Sequence, residues 1–137
     1  MKMGILQRLF VNSPINSKLK TDLVGEVLTL EELRGIASAL EIGCGSGLTA
    51  QSLRDLHGMD VVGVDIDPAQ VNLATRRRQP DGHLEFVEGD ACSLPFPDCS
   101  FDLVVSLMVL HHIQDWGRAV TEVGRVLKPG GLCILYD

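Results

Sequence analysis

The sequence predicts an α/β fold, a doubly wound and mostly parallel sheet of about five strands with helices on both faces. Short apolar runs alternate with helical stretches over residues 39–136, and this alternation is typical of parallel strands joined by right-handed crossovers. The apolar content of 45% in 137 residues suits one buried core. A loop with glycine at alternate positions directly follows the first apolar run.

The N-terminal part predicts a helical cap over residues 1–37. Apolar residues recur at helical spacing on both sides of a break at residues 12–14, which indicates a short helix followed by a longer one. No Pro-, Gly- or Ser-rich linker separates this cap from the remainder of the chain. The expected organisation is therefore a single domain over residues 1–137.

The rest of the chain predicts strands and helices in alternation. Strands are expected at residues 39–42, 61–64, 84–87, 101–107 and 132–136, and helices at 48–56, 68 to about 78, and 115–127. Ser46 is a candidate N-cap of the first of these helices, and Leu53 and Leu56 lie three positions apart on one side of it. Asp67 before Pro68 is typical of an N-cap followed by the first helical residue.

Composition and charge argue against several classes of function. A net charge of −6 disfavours broad attraction to nucleic acid or anionic membranes. The arginines at 76–78 are expected at the end of a helix, where the dipole favours positive charge. The cysteines form no Cys-x-x-Cys pair and none has zinc-site spacing to a histidine, so no metal site is expected. With no signal-peptide pattern and no apolar run near the roughly 20 residues of a membrane span, we expect a cytoplasmic protein.

The segment EIGCGSG, residues 41–47, is the first candidate binding element. At the end of a strand, bare backbone lets a ligand lie close to the main chain, whose N–H groups are donors. Gly43, Gly45 and Gly47 give the spacing G-x-G-x-G, whereas a dinucleotide loop has G-x-G-x-x-G around a pyrophosphate. Glu41 would repel a pyrophosphate but suits an ammonium group, directly or through water. The loop favours a nucleoside carrying an amino acid, and an NAD-dependent dehydrogenase is the less favoured interpretation.

Acidic residues after the next two strands extend this candidate site. Asp65 ends the second strand, and a carboxylate there can accept from both hydroxyls of a ribose. Because Asp67 is the better helix cap, Asp65 is left for a ligand. Asp90 follows the third strand, where its carboxylate would accept from an adenine amino group while the Ala91 N–H donates to a ring nitrogen. The alternative for Asp90 is the cap of a turn.

Four segments in this order resemble class I S-adenosylmethionine-dependent methyltransferases of the small-molecule, ubiquinone/menaquinone-biosynthesis-like type. They are LEIGCGSG, VVGVDIDP, GDACSLPFPDCSFDLVVSLMVLHHI and VGRVLKPGGLCIL. The resemblance implies a Rossmann-like fold, S-adenosylmethionine as cofactor with S-adenosylhomocysteine as product, and a small-molecule methyl acceptor.

The resemblance also implies two strands and a helix beyond the fifth strand. Because the sequence stops at Asp137, we expect a sheet that lacks the usual C-terminal strand pair. Residues 132–136 would then form an exposed apolar edge strand, which favours pairing with another chain. We expect either self-association through this edge or a truncated piece of a longer protein.

The family's cofactor contacts carry over to matching positions of this sequence. The backbone around the methionine and ribose would come from the loop residues Gly43, Cys44, Gly45 and Gly47. Glu41 would lie near the methionine amino group, and Asp65 would hold the ribose hydroxyls. Ile66 would pack on the adenine, and Asp90 with Ala91 would contact its edge.

Residues after the fourth strand are expected nearest to the reacting methyl group. Ser106 and its neighbours would face the methionine end of the cofactor. His111 and His112 are candidates for a general base, which is needed only if the acceptor loses a proton as it attacks, and the alternative is that one packs and the other faces solvent. The stretch SLMV differs from the polar Asn/Asp-Pro-Pro-aromatic stretch of amino-methylating DNA enzymes. The competing hypothesis is a cofactor-binding partner or regulatory subunit without a complete acceptor site.

Overall fold

A single parallel sheet organises the chain in the order β3-β2-β1-β4-β5. The structure, a computed structural model, describes residues 14–137. The strands are β1 (Ser38–Ile42), β2 (Asp60–Asp65), β3 (Leu84–Glu88), β4 (Phe101–Leu107) and β5 (Leu127–Tyr136). The helices are α1 (Pro14–Val27), α2 (Leu30–Gly35), α3 (Leu48–His57), α4 (Pro68–Thr75) and α5 (Trp116–Val126), with a 3₁₀ turn at Leu110–His112.

Both faces of the sheet are covered, which confirms the doubly wound α/β fold. Side chains alternate along β1, so that Ala39 belongs to the core beneath α1, α2 and α3, while Leu40 and Ile42 belong to the core beneath α5. The neighbouring strands β2 and β4 flank β1. A strand buried on both faces requires nearly continuous apolar residues, as the sequence of β1 has.

The N-terminal helices pack against the sheet. Val24 of α1 and Leu33 of α2 are buried in the same core as β1 and β2. Helix α2 begins with a capping box, in which the Glu32 N–H donates to Thr29 Oγ1 (3.2 Å) and the Thr29 N–H donates to Glu32 Oε2 (2.8 Å). The short helix expected before residue 12 lies outside the described residues, and the assignment of all 137 residues to one domain stays a prediction.

Helix α3 differs from expectation at its start, and its two leucines are buried to different extents. Gly47, not Ser46, is the N-cap residue, with φ of +79°. Leu53 is fully buried, whereas Leu56 is 69% exposed. Two residues three positions apart on a helix point in similar but not identical directions. The direction of Leu53 faces the sheet, whereas that of Leu56 faces solvent. The predicted N-cap was therefore wrong, and the two leucines that share one side of the helix differ in burial.

The edge strand β5 begins earlier than expected, at Leu127. Leu127 pairs with Phe101 and Leu132 pairs with Leu103, so residues 128–131 form an irregularity in the strand. These residues, Lys-Pro-Gly-Gly, lie between the helix expected at 115–127 and the strand expected at 132–136, and Gly130 has a φ of +76°. Beyond it, β5 lies at the edge of the sheet, and self-association through this edge stays a prediction.

The long connection between β3 and β4 is tied to α5 by one arginine. Arg125 donates to the carbonyl oxygens of Leu94 (3.0 Å) and Phe96 (2.8 Å) and pairs with Glu122. The Leu94 N–H donates in turn to Glu122 (2.8 Å). Hydrogen bonds from Arg125 are the main reason that the pKa of Glu122 is lowered to about 2. This network fixes the segment that begins just after β3.

Leu53→Ala and Leu56→Ala are a matched pair that tests the packing of α3. We expect Leu53→Ala to lower the free energy of unfolding by about 2–5 kcal/mol, because it leaves a cavity in the core. Leu56→Ala should change it by less than about 0.5 kcal/mol, because that side chain lies mostly in solvent. Urea unfolding followed by circular dichroism measures both values. Equal losses from the two variants would contradict the described burial.

Candidate functional site

A cavity of about 680 Å³ lies at the carboxyl ends of the strands. Its wall includes Gly43 after β1, Asp65 at the end of β2, Asp90 after β3 and Val109 after β4. In a doubly wound sheet, the crevice beside the first strand is where ligands bind, because the crossovers leave it in opposite directions. The cavity occupies this place.

The glycine-rich loop uses its N–H groups inside the protein. The N–H groups of Gly43 and Cys44 donate to the Val64 carbonyl oxygen (2.8 and 3.1 Å), and the Gly47 N–H donates to the Cys44 carbonyl oxygen (2.9 Å). The Gly45 N–H donates to a carboxylate oxygen of Asp65 (2.9 Å). The loop therefore offers a ligand close approach rather than the free donors that the sequence suggests.

Two of the three glycines are required by internal packing. Gly43 and Gly47 have φ of +71° and +79°, a region that L side chains rarely adopt. A Cβ at Gly43 would lie 2.7 Å from Cγ1 of Val109, and one at Gly47 would lie 2.5 Å from Cζ of Phe86. Val109 and Phe86 are distant from the loop in sequence, so the G-x-G-x-G spacing does not reveal these contacts. The spacing suggests a ligand as the reason for the glycines, whereas packing inside the protein already requires two of them.

Asp65 has one N–H group on each of its carboxylate oxygens. Oδ2 accepts from the Gly45 N–H (2.9 Å), and Oδ1 accepts from the Asp67 N–H (2.9 Å). Asp67 itself caps α4 through the Ala69 N–H (2.9 Å), as predicted. A carboxylate has about four acceptor sites, so Asp65, which lines the cavity, keeps capacity for a ligand.

The residues expected at an adenine also line the cavity. Ile66 is 58% exposed there, and Asp90 and Ala91 follow β3 on the same wall. The Asp90 carboxylate accepts from the Cys92 N–H (2.8 Å). Asp90 thus caps a turn, the alternative left open by the sequence, and lines the cavity as well.

Glu41 is buried beside the cavity with one oxygen unpaired. Its carboxyl group accepts from the Ala50 N–H and the Thr49 hydroxyl at the start of α3, whereas Oε2 has no hydrogen-bond partner among the residues that the structure describes. Burial raises the pKa of Glu41 to about 8, and the positive charge of Lys20 opposes this rise. A buried polar atom without a partner is rare in folded proteins and calls for an explanation.

Four predicted residues are not part of the cavity wall, namely Glu41, which is buried behind it, and Cys44, Gly47 and Ser106. Gly47 packs against Phe86, and Cys44 is buried with its side chain against Gly63, where burial raises the pKa of the thiol. Ser106 is fully buried within β4. The wall after β4 is instead formed by Met108 and Val109.

Sequence reasoning did not find Lys20 or Met108. Lys20 reaches the cavity wall from α1, and no local motif marks it. Met108 has φ of +60°, and its N–H donates to the Tyr136 carbonyl oxygen (2.6 Å). A methionine in this backbone conformation has no sequence signal.

The two histidines lie together in the 3₁₀ turn and line the cavity. Their ring centroids are 3.9 Å apart. Nδ1 of His111 lies 2.7 Å from Oδ1 of Asp137. A carboxylate beside Nδ1 favours the proton on that nitrogen and leaves Nε2 as an acceptor.

Residues 14–137 show no metal-binding cluster, membrane-spanning helix or disulfide. None of the described His, Cys, Asp and Glu side chains form a group of three or more that could hold a metal ion. No described helix has the length and apolar character needed to cross a membrane. All four cysteines are free.

Comparison with known proteins identifies a family and several relatives of this chain. Residues 40–135 match the family model described as a methyltransferase domain. The chain is 38% identical to 2-methyl-6-phytyl-1,4-hydroquinone methyltransferase of Synechocystis over 79% of this chain and 34% of that protein. It is 36% identical to 27-O-demethylrifamycin SV methyltransferase of Amycolatopsis mediterranei, over 85% of this chain and 44% of that protein.

A solved structure shares the architecture. The cyclase SpnF superimposes with a TM-score of 0.74 and 34% identity over 86% of this chain and 43% of that one. The chain thus spans less than half the length of these relatives. The matched family model covers the sheet from β1 to β5 and all the strand ends that form the cavity. The chain therefore belongs to the methyltransferase domain family, with the Rossmann-like fold of class I S-adenosylmethionine-dependent methyltransferases.

Proposed function

We propose that the chain binds S-adenosylmethionine in the cavity and transfers its methyl group to a small-molecule acceptor. The observation that carries this proposal is the Asp65 carboxylate, which two backbone N–H groups hold at the cavity wall. Its remaining acceptor sites suit the two adjacent hydroxyls of a ribose. This arrangement matches a nucleoside cofactor.

Glu41, buried beside the cavity, and further residues of the wall fit the remaining parts of this cofactor. The unpaired, buried oxygen of Glu41 suits an ammonium group. Ile66 offers an exposed apolar surface to an adenine face, and Asp90 and Ala91 lie where they would contact its edge. Gly43 and Gly45 have no side chains, so the cofactor could lie close to the backbone of the wall there.

The relatives favour a small acceptor, although the family does not determine the reaction. One relative is named for a phytyl hydroquinone and another for a rifamycin derivative, and both names describe small organic molecules. SpnF is named as a cyclase, which illustrates that one fold hosts more than one chemistry. The free cysteines suit a reducing compartment, and we propose a cytoplasmic location.

The protein's share of the chemistry is orientation and, for some acceptors, removal of a proton. When bound, S-adenosylmethionine supplies a methyl group already activated by its sulfonium. Orientation of two reactants in a dry site contributes up to about 7–11 kcal/mol in favourable cases. For a hydroxyl acceptor, Nε2 of His111 would take the departing proton, while Asp137 holds the ring through Nδ1.

Calorimetry with S-adenosylmethionine, S-adenosylhomocysteine and NAD tests the cofactor. We expect both adenosyl compounds to bind and NAD not to bind. Asp65→Asn should weaken S-adenosylhomocysteine binding by about ten- to a hundredfold, because hydrogen bonds to a charged group are lost. Asp60→Asn, the same change at the exposed opposite end of β2, is the control. The unaltered chain should lose comparable affinity for the 2′-deoxyribose analogue, and equal binding of both sugars would exclude Asp65 as the ribose partner.

Turnover on a panel of phenolic and other small acceptors separates an enzyme from its alternative. Methylated product from the isolated chain supports the proposed activity. Binding of the cofactor without turnover on any acceptor would instead favour the partner or regulatory subunit.

Proton release on binding tests the partnership between Glu41 and the ammonium group. With a pKa of about 8, Glu41 is mostly protonated at pH 7. An adjacent ammonium favours the carboxylate and lowers this pKa, so binding should release about one proton per ligand at pH 7. Calorimetry in two buffers of different ionisation enthalpy measures the release. Glu41→Gln should abolish it, and an unchanged release in that variant would assign the proton elsewhere.

His111→Gln tests the base. On a hydroxyl acceptor we expect kcat to fall by about 10²–10⁴-fold, with the affinity for S-adenosylhomocysteine unchanged. His83→Gln is a matched control, because His83 forms the other histidine–aspartate pair, with Asp60, away from the cavity. If His112→Gln alone gave the large loss, the base would be His112.

A further inference from the structure

Three consecutive arginines, residues 76–78, lie at the end of α4, and the middle one packs inward. Arg76 and Arg78 are exposed, whereas Arg77 is half-buried. The guanidinium of Arg77 donates through Nε to the Ser46 carbonyl oxygen (2.9 Å) and through Nη1 to Oε1 of Gln51 (3.1 Å). Both acceptors are neutral groups, so Arg77 differs from a charge that merely solvates a helix end.

The two acceptors belong to the glycine-rich loop and to the first turn of α3. Ser46 is buried between Gly45 and Gly47, the N-cap of α3. The hydrogen-bond ladder of α3 begins where the Gln51 N–H donates to the Gly47 carbonyl oxygen (3.0 Å), so the Ser46 carbonyl lies just outside that ladder. Backbone carbonyl groups away from water need donors. Arg77 supplies a charged donor, which forms the stronger kind of hydrogen bond.

The same loop is attached both to the cavity wall and to α4. At the wall, the Gly45 N–H donates to Asp65 (2.9 Å). At α4, Ala74 packs so closely that a Cβ at Gly47 would lie 3.0 Å from its own Cβ, and Arg77 holds the adjacent Ser46. Because Ser46 directly follows Gly45, loss of the Arg77 contact would let the loop shift relative to Asp65.

We propose that Arg77 is a positioning residue of the cofactor site, which holds the glycine-rich loop in the shape that S-adenosylmethionine binds. This inference rests on the proposed function. Arg77 does not line the cavity, so it acts through Ser46 and Gln51. Groups that contact a ligand need to be held within about 0.5 Å of their productive positions by the residues behind them.

Titration of Arg77→Gln with S-adenosylhomocysteine, followed by calorimetry, tests this inference. We expect the affinity to fall by about five- to thirtyfold, because a charged hydrogen bond to the loop is lost. Arg77→Lys keeps the charge and one donor group but not the planar fork, so it should recover part of the lost affinity. Arg76→Gln and Arg78→Gln are matched controls from the same exposed run and should bind as tightly as the unaltered chain.

A variant of similar or lower stability separates positioning from a purely structural role. Leu33→Ala removes a buried side chain of α2, the helix that precedes the start of β1 rather than its cavity end. Urea unfolding should show that it lowers stability at least as much as Arg77→Gln does. Its affinity for S-adenosylhomocysteine should nevertheless equal that of the unaltered chain, because affinity falls only with the fraction of chains able to bind, and both chains are folded without urea.

The inference would be overturned if Arg77→Gln bound as tightly as the unaltered chain, or if Leu33→Ala lost as much affinity as Arg77→Gln. Should Arg77→Gln fail to fold, Arg77→Lys decides, and undiminished affinity in that variant would overturn the inference. If the unaltered chain bound neither S-adenosylmethionine nor S-adenosylhomocysteine, the proposed function itself would fail. Binding by the unaltered chain with no effect of the Arg77 variants would leave that function standing and remove only the role of Arg77.

Discussion

The cavity depends on the two hydrogen bonds accepted by the Asp65 carboxylate. One comes from the loop after β1 and the other from the turn that begins α4. Because β1 and β2 are parallel neighbours, both loops follow the carboxyl ends of adjacent strands. One side chain can therefore reach both loops. Hydrogen bonds to an ionised acceptor are stronger than neutral ones. The positions of Gly45 and Ile66 at the wall follow from this link.

Much of the fold could be predicted because its signals are local. The alternation of strands and helices, the Asp67 cap and the acidic residue at the end of β2 all depend on neighbours in the sequence. The reasons for the glycines could not be predicted in the same way. Gly43 and Gly47 are needed because Val109 and Phe86 occupy the space that a side chain would take, and those contacts exist only in the folded chain.

The less predictable parts of the site come from long-range packing. Lys20 reaches the cavity because α1 lies over α3, and His111 meets Asp137 because β5 pairs with β4. Arg77 follows the end of α4, as expected, and it also donates through Nε to the Ser46 carbonyl oxygen (2.9 Å), which supports the glycine-rich loop. Composition and spacing describe which side chains are available, while the topology decides which of them meet.

Two residues of the cavity wall after β4, Met108 and His111, are held by the end of β5 and the residue that follows it. Met108 and His111 are each held by a residue of that end, through the Tyr136 carbonyl oxygen and the Asp137 carboxylate. Opening of a protein is local as well as global, and contiguous hydrogen-bonded segments open together as units. Fraying of β5 would therefore release both wall residues together. The part of the wall formed by Met108 and His111 therefore shares the local unfolding equilibrium of β5, whereas the part formed by Asp65 shares that of β1 and β2.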